Sequence, residues 1–198
     1  MLRTTINALL SDPVLFSRFV DIMKRGTAVL PTDTLYGLAA DADSIDGVAS
    51  IYRIKGREDT KPLILFLERI DRLMEINITP TQESRELLEQ HWPGALTAVF
   101  PLNGKPLAAF SHTSLGVRVP AHTDLLRLLA AYPGRLLTTS ANRSGQAPMC
   151  DPDAIEREFS GELDILVDGG CLESSEPSTV IGLDIWPPRI LRAGKIHF

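Results

Sequence analysis

The chain has only two cysteines in 198 residues, Cys150 and Cys171, and they form neither a CxxC pair nor a metal-ligating spacing. That excludes a disulfide-built scaffold and a thiolate zinc site, and both thiols read as incidental in a reducing compartment. Long hydrophobic runs are also missing: stretches such as Leu63 to Leu67 are far too short to cross a bilayer. The start, Met1 to Ile6 with Asp12 and Asp21 soon after, lacks the apolar core and cleavage site of a secretory leader. A soluble, cytoplasmic chain with no membrane partner is expected. There is no basic excess, with 20 Lys and Arg against 25 Asp and Glu for a net charge of −5. This argues against a dedicated nucleic-acid binder, though it leaves room for a local basic groove. Walker A and GxGxxG motifs are absent, so any nucleotide site is built another way.

What is present is a 44% hydrophobic chain able to bury a real core, with no repeat, low-complexity tract or linker. Residues 1–198 therefore read as one domain. Asp12-Pro13 and Asp151-Pro152 each pair an N-cap with proline at the first helical position. The first opens a stripe of Val14, Leu15, Phe19, Ile22 and Met23, closed by Gly26. Ser44 caps a second helix with Val48, Ile51, Tyr52 and Ile54 on its buried side. Residues 81–91 and 123–132 make further helices. Strands are expected over 27–31, 63–67, 95–100, 116–119, 135–140, 163–167, 179–183 and 189–191. The mixture predicts an α/β domain on a large mixed sheet. Several strands follow one another directly, so a Rossmann order is not expected.

Polar clusters sit where strands end, the place where α/β sheets tend to hold ligands. Lys55-Gly56-Arg57-Glu58-Asp59-Thr60-Lys61-Pro62 focuses three cations on a short turn before an apolar strand, which suits a polyphosphate. Pro31-Thr32-Asp33-Thr34-Leu35-Tyr36-Gly37-Leu38, Thr138 to Gly145 and Glu176 to Val180 carry hydroxyls and amides. Each such cluster also reads as ordinary caps and Asx turns. Arg118 stands among valines and Arg192 follows the strand Arg189-Ile190-Leu191. A cation in such a place faces a ligand or pairs with a structural carboxylate. Two hydroxyl clusters and five cations together point to one anion site.

Taken in order, Pro31 to Leu38, Lys55-x-Arg57 with Lys61-Pro62-Leu63, Trp92-Pro93-Gly94-Ala95-Leu96-Thr97, Gly116-Val117-Arg118-Val119-Pro120, Thr139-Ser140-Ala141-Asn142, Pro177-Ser178-Thr179-Val180 and Arg192-x-Gly194 resemble the YrdC/Sua5 family. The resemblance runs over about residues 15–195, and the length is similar to the family's short, single-domain form without the C-terminal Sua5 extension. It implies a twisted mixed α/β sheet with flanking helices and a concave cleft. It also implies an L-threonylcarbamoyladenylate synthase, a nucleotidyltransferase that makes threonylcarbamoyl-AMP and pyrophosphate from L-threonine, bicarbonate and ATP. The product serves the t6A modification of tRNA position 37, through a TsaD-type transferase machinery.

By that resemblance Lys55 and Arg57 are the catalytic cations. Lys55, Arg57, Lys61, Ser140, Asn142, Ser178 and Arg192 hold ATP, while Thr32, Thr34, Tyr36, Arg118 and Thr138 line the threonine pocket. Mg²⁺ is expected to arrive with ATP rather than in a protein cage. Asp33 is a candidate partner for Mg²⁺ or an ammonium. No general base is assigned, and His91, His112, His122 and His197 read as surface or structural. A pocket that pairs the substrate hydroxyl leaves serine a leakier competitor than valine. The segment Asn103 to Ser114 reads as a lid or as a plain surface connection. The rival readings are a YciO-like paralogue and an RNA-binding protein with weak, salt-dependent binding and no synthase activity.

Overall fold

The structure is a computed structural model that describes residues 1–56, 63–102, 107, 112–173 and 176–198. Its strands are β1 (Leu2–Thr4), β2 (Thr27–Leu30), β3 (Gly37–Asp41), β4 (Ile64–Phe66), β5 (Leu96–Pro101), β6 (Ser114–Arg118), β7 (Leu136–Ser140), β8 (Ile165–Val167), β9 (Thr179–Gly182) and β10 (Arg189–Arg192). Its helices are α1 (Ile6–Ser11), α2 (Pro13–Met23), α3 (Ile45–Lys55), α4 (Gln82–His91), α5 (Thr123–Ala131) and α6 (Pro152–Glu158), with a 3-10 helix over Ile70–Ile76. The strands form one sheet in the order β1-β8-β2-β3-β7-β4-β6-β5-β9-β10. Parallel pairs (β1/β8, β2/β8, β4/β6, β5/β9) mix with antiparallel ones, as expected of this domain.

Helix starts follow local chemistry. Asp12, Ser44, Thr81 and Asp151 each accept backbone N–H groups in the first turn, and Pro13 and Pro152 need no donor there. The stripe expected on α2 is narrower than the sequence suggests. Phe19 and Met23 are buried, but Val14 is 80% exposed. Leu15 and Ile22 pack against the core from its border, so the buried stripe leaves out only the first-turn Val14.

Alternation along the strands feeds two cores. Val29, Leu38, Ala40 and Leu137 point to one, with Ile51, Leu88 and Ile155 of α3, α4 and α6. Ala28, Leu30, Ala39 and Leu136 point to the other, with Ile6 and Leu9 of α1, Phe19 and Met23 of α2, and Leu125 and Leu128 of α5. Phe19 meets the Tyr132 ring edge-on at 5.8 Å between centroids.

This second face is only partly roofed. Strand register places Gly37, Ala39, Thr138, Ser140, Ile64, Phe66, Gly116, Arg118 and Val180 on it. Helices α1, α2 and α5 cover the Ala39, Leu136 and Phe66 end, and among the described residues the remainder lines a cleft. Phe19→Ala is expected to cost about 3–5 kcal/mol in chemical denaturation. Ile190→Ala, on the exposed edge strand β10, is expected to stay within about 0.5 kcal/mol of the parent.

Candidate functional site

The cleft has a volume of about 730 Å³ and brings together Thr32, Thr34, Tyr36, Arg118, Thr138, Ser140, Ser178 and Arg192, all singled out from sequence. Arg57 and Lys61 lie outside the described residues, as does most of Asn103 to Ser114. Leu35, Ile64, Phe66, Pro148, Pro177, Val180 and Leu191 add apolar walls that the sequence reading did not assign.

Thr32 and Thr34 sit in the turn from β2 to β3. Thr32 Oγ1 accepts from the Thr34 and Leu35 amides, both at 3.1 Å, and donates to Leu35 O at 2.6 Å. Its proton and both lone pairs are thereby engaged, and the Thr34 hydroxyl stands 3.2 Å away. Arg118 Nη1 in turn donates to Thr34 Oγ1 at 2.8 Å. Thr34 thus keeps acceptor capacity on a residue that lines the cleft.

Arg118 is 4% exposed. Its Nη2 donates to Asp33 Oδ1 at 2.8 Å and its Nε to Gly94 O at 2.9 Å. The structure thus gives Arg118 a structural carboxylate as well as a place on the cleft wall. Three of its five N–H groups serve the protein, leaving two for an anion among the described residues. Burial pulls its pKa down first; Asp33 opposes this, and the Arg192 charge adds to the lowering. Burial also lowers the pKa of Arg192. Two guanidinium groups that repel each other across a partly dry cleft favour an anion between them.

Arg192 Nη2 donates to Ser178 O at 2.8 Å and Ser178 Oγ at 3.2 Å. Ser178 rests on buried Thr97, hydroxyl to hydroxyl, at 2.8 Å. The motif glycine Gly194 has its reason here. A Cβ at Gly194 would lie 2.4 Å from Pro177 O, so only glycine lets the chain after β10 press against the Ser178 turn. Thr97 and the Gly94 carbonyl are supports that sequence reasoning missed. Their signal was the Trp92 to Thr97 motif itself.

Thr138 is 2% exposed and its Oγ1 has no hydrogen-bond partner among the described residues. A Cβ on Gly37 would lie 2.6 Å from that oxygen. The missing side chain opens the floor of the cleft directly over an unpartnered hydroxyl, a place for a polar ligand group.

Two expected contact residues stand behind the wall rather than on it. Lys55, 3% exposed at the C-terminal end of α3, donates from Nζ to Ser140 O at 2.7 Å and Asn142 Oδ1 at 2.9 Å. Asn142 Oδ1 also accepts from Ser140 Oγ at 2.6 Å, and its Nδ2 donates to Arg143 O and Gln146 O. Both residues, expected to touch ATP, are placed as braces for the loop that presents Ser140. Arg143 ties the same loop to Glu158 and Glu162 and stacks over Phe159 at 4.9 Å. Tyr36 is split in role. Its ring lines the cleft, while its hydroxyl donates to Gly170 O at 2.7 Å and accepts from Gly169 N at 2.9 Å. Burial pushes its pKa up to about 12, so the phenol stays protonated as that donor.

His122 caps α5, with Nδ1 accepting from Leu125 N, and His91 packs on Phe198. Neither reaches the cleft. Among the described residues no group of three or more His, Cys, Asp or Glu is arranged to hold a metal ion, and no helix is long and apolar enough to cross a membrane.

Fold and cleft define a class: an α/β protein whose mixed sheet holds, on one partly bare face, a hydroxyl-rich site for a small anionic ligand. The Sua5_yciO_yrdC family model, described as telomere recombination, matches residues 21–194, and the chain belongs to this Sua5/YciO/YrdC family. It is 32% identical over 168 residues to the Threonylcarbamoyl-AMP synthase of Pyrococcus abyssi, covering 84% of this chain and 49% of that protein. It is 35% identical over 164 residues to the Threonylcarbamoyl-AMP synthase of Chromohalobacter salexigens, covering 81% of this chain and 88% of that one. The crystal structure of P. abyssi Sua5 complexed with L-threonine superposes with a TM-score of 0.82 at 28% identity, over 98% of this chain and 56% of that chain. The chain thus spans about half the length of the archaeal relative and most of the bacterial one.

Lys55→Ala removes the donor from two buried acceptors and is expected to cost roughly 1–3 kcal/mol in denaturant titration. Arg192→Ala, at the open rim, is expected to stay within about 0.5 kcal/mol of the parent. Equal losses for both would show that Lys55 is no brace.

Proposed function

We propose that the protein is a threonylcarbamoyl-AMP synthase. L-threonine, bicarbonate and ATP would give threonylcarbamoyl-AMP, pyrophosphate and water. The observation that carries this reading is the cleft itself, where Arg118 and Arg192 share one hydroxyl-lined cavity with the unpartnered Thr138 Oγ1. The curated relatives bearing that enzyme's name support it.

In this reading the amino acid sits against Thr32, Thr34, Tyr36 and Thr138. Its carboxylate takes the two remaining N–H groups of Arg118, and its ammonium fits the acceptor capacity of Thr34 beside Asp33. The carbamate oxygen of N-carboxylated threonine attacks the α-phosphorus of ATP, and pyrophosphate leaves. Arg57, Lys61 and Arg192 neutralise the triphosphate, with Ser140 and Ser178 as hydroxyl contacts and Lys55 and Asn142 holding Ser140 in place. Catalysis here is positioning and charge neutralisation. The cleft carboxylate Asp33 already serves Arg118, which fits Mg²⁺ being held by phosphates and water when it comes with ATP. The product would pass to a TsaD-type machinery that modifies tRNA, and the protein would work in the cytoplasm.

The test is pyrophosphate release with ATP and Mg²⁺, omitting threonine or bicarbonate in turn. Release is expected to need both and to collapse in Arg57→Ala. A folded protein that releases none in the complete mixture would overturn the reading, and salt-dependent RNA binding would then favour the rival.

Thr138→Val is expected to weaken threonine use by roughly 1–3 kcal/mol, about five- to 150-fold in kcat/KM, with little loss of fold. Serine is expected to outcompete valine in the parent enzyme. Valine used better than serine would contradict a hydroxyl-pairing pocket.

A further inference from the structure

The two cysteines, distant in sequence, belong to neighbouring segments. Leu172 N donates to Cys150 O at 3.0 Å, pairing the stretch that ends at Cys150 with the one that begins at Cys171. Cys171 Cα lies one peptide unit from the donating Leu172 N, and a disulfide spans roughly 4.4–6.8 Å between Cα atoms. Cys171, the residue before Leu172, is therefore brought within reach of Cys150. Cys171 is exposed and Cys150 half-buried. The thiols also lie close enough for Cys150 to perturb the ionisation of Cys171.

Both segments belong to the wall of the cleft. Pro148, two residues before Cys150, lines it. Gly169 and Gly170, just before Cys171, are held by the hydroxyl of Tyr36, whose ring lines it. A covalent link between them would fix the Tyr36 side of the cleft.

We infer that Cys150 and Cys171 are a redox modification site, forming an intramolecular disulfide across these two segments. The oxidant is a small disulfide of the glutathione class. The exposed Cys171 thiolate attacks one sulfur of that disulfide and expels a thiolate, giving a mixed disulfide. Cys150 thiolate then attacks the Cys171 sulfur and expels the second small thiol. The two cysteine protons end on the two released thiols; the cysteines are oxidised and the small disulfide is reduced. The step does not depend on the enzymatic reading above.

The groups facing Cys171 are Asp151, Asp153 and Cys150; burial first, then these charges, raise its pKa. Asp168 accepts from Gly170 N beside it at 2.8 Å. The first attack is accordingly slow at neutral pH and faster in mild alkali.

The experiment treats the purified chain with excess oxidised glutathione in mild alkali and follows intact mass, free thiols and Tm. The expected product has lost the mass of two hydrogens and both free thiols, and yields a peptide cross-linking residues 150 and 171. Its Tm is roughly 5–10 °C higher, since a closed loop restrains the unfolded chain, and dithiothreitol reverses every change. Cys150→Ser is expected to stop at a glutathione adduct on Cys171 with no rise in Tm. Two surviving thiols in the wild type, stable glutathione adducts in place of the cross-link, or disulfide-linked dimers would each overturn the proposal.

Discussion

The buried charge of Arg118 is the constraint around which the cleft is arranged. A guanidinium that is 4% exposed survives only with its donors matched. Its matches come from two separate places: the β2–β3 turn through Asp33 and Thr34, and the turn before β5 through Gly94 O. Pairing Arg118 therefore ties the β2–β3 turn and the turn before β5 to strand β6. The geometry of the site is in this sense a by-product of keeping one cation solvated by protein.

A second support works from the opposite side. Lys55 ends α3 and reaches under the loop after β7, where Asn142 gathers its ammonium and the Ser140 hydroxyl on one oxygen. Arg143 extends the same brace to α6. The wall thus rests on two buried or half-buried cations that sit behind it, while Arg118 and Arg192 look into the cavity. Division of the cations into braces and contacts is what allows a chain of net charge −5 to hold a locally positive cleft.

Much of this was legible in the residues. Asp12-Pro13, Ser44, Thr81 and Asp151-Pro152 each cap a helix as their chemistry demands. The ordered motifs carried the family and eight residues of the cleft. Strand β3 escaped, because Gly-Leu-Ala-Ala-Asp has no β-branched or aromatic residue and owes its place to pairing with β2 and β7. β1 and α1 escaped too: their few residues gain stability only from tertiary contacts, β1 against β8 and α1 through Ile6 and Leu9. The bonds of Lys55 to Ser140 and Asn142 were not legible, since a sequence displays a charge or an amide without showing which acceptors fold around it. Thr138 could be placed in the pocket by likeness, but its lack of a partner is a property of three dimensions.

The sheet face beneath the cleft is a core surface that no helix among the described residues covers. Ile64, Phe66 and Val180 line it as they would line an interior, in register with residues that α1, α2 and α5 bury further along. A molecule seated there would complete a layer of the fold, with apolar side chains of the sheet packed against it as against a covering helix.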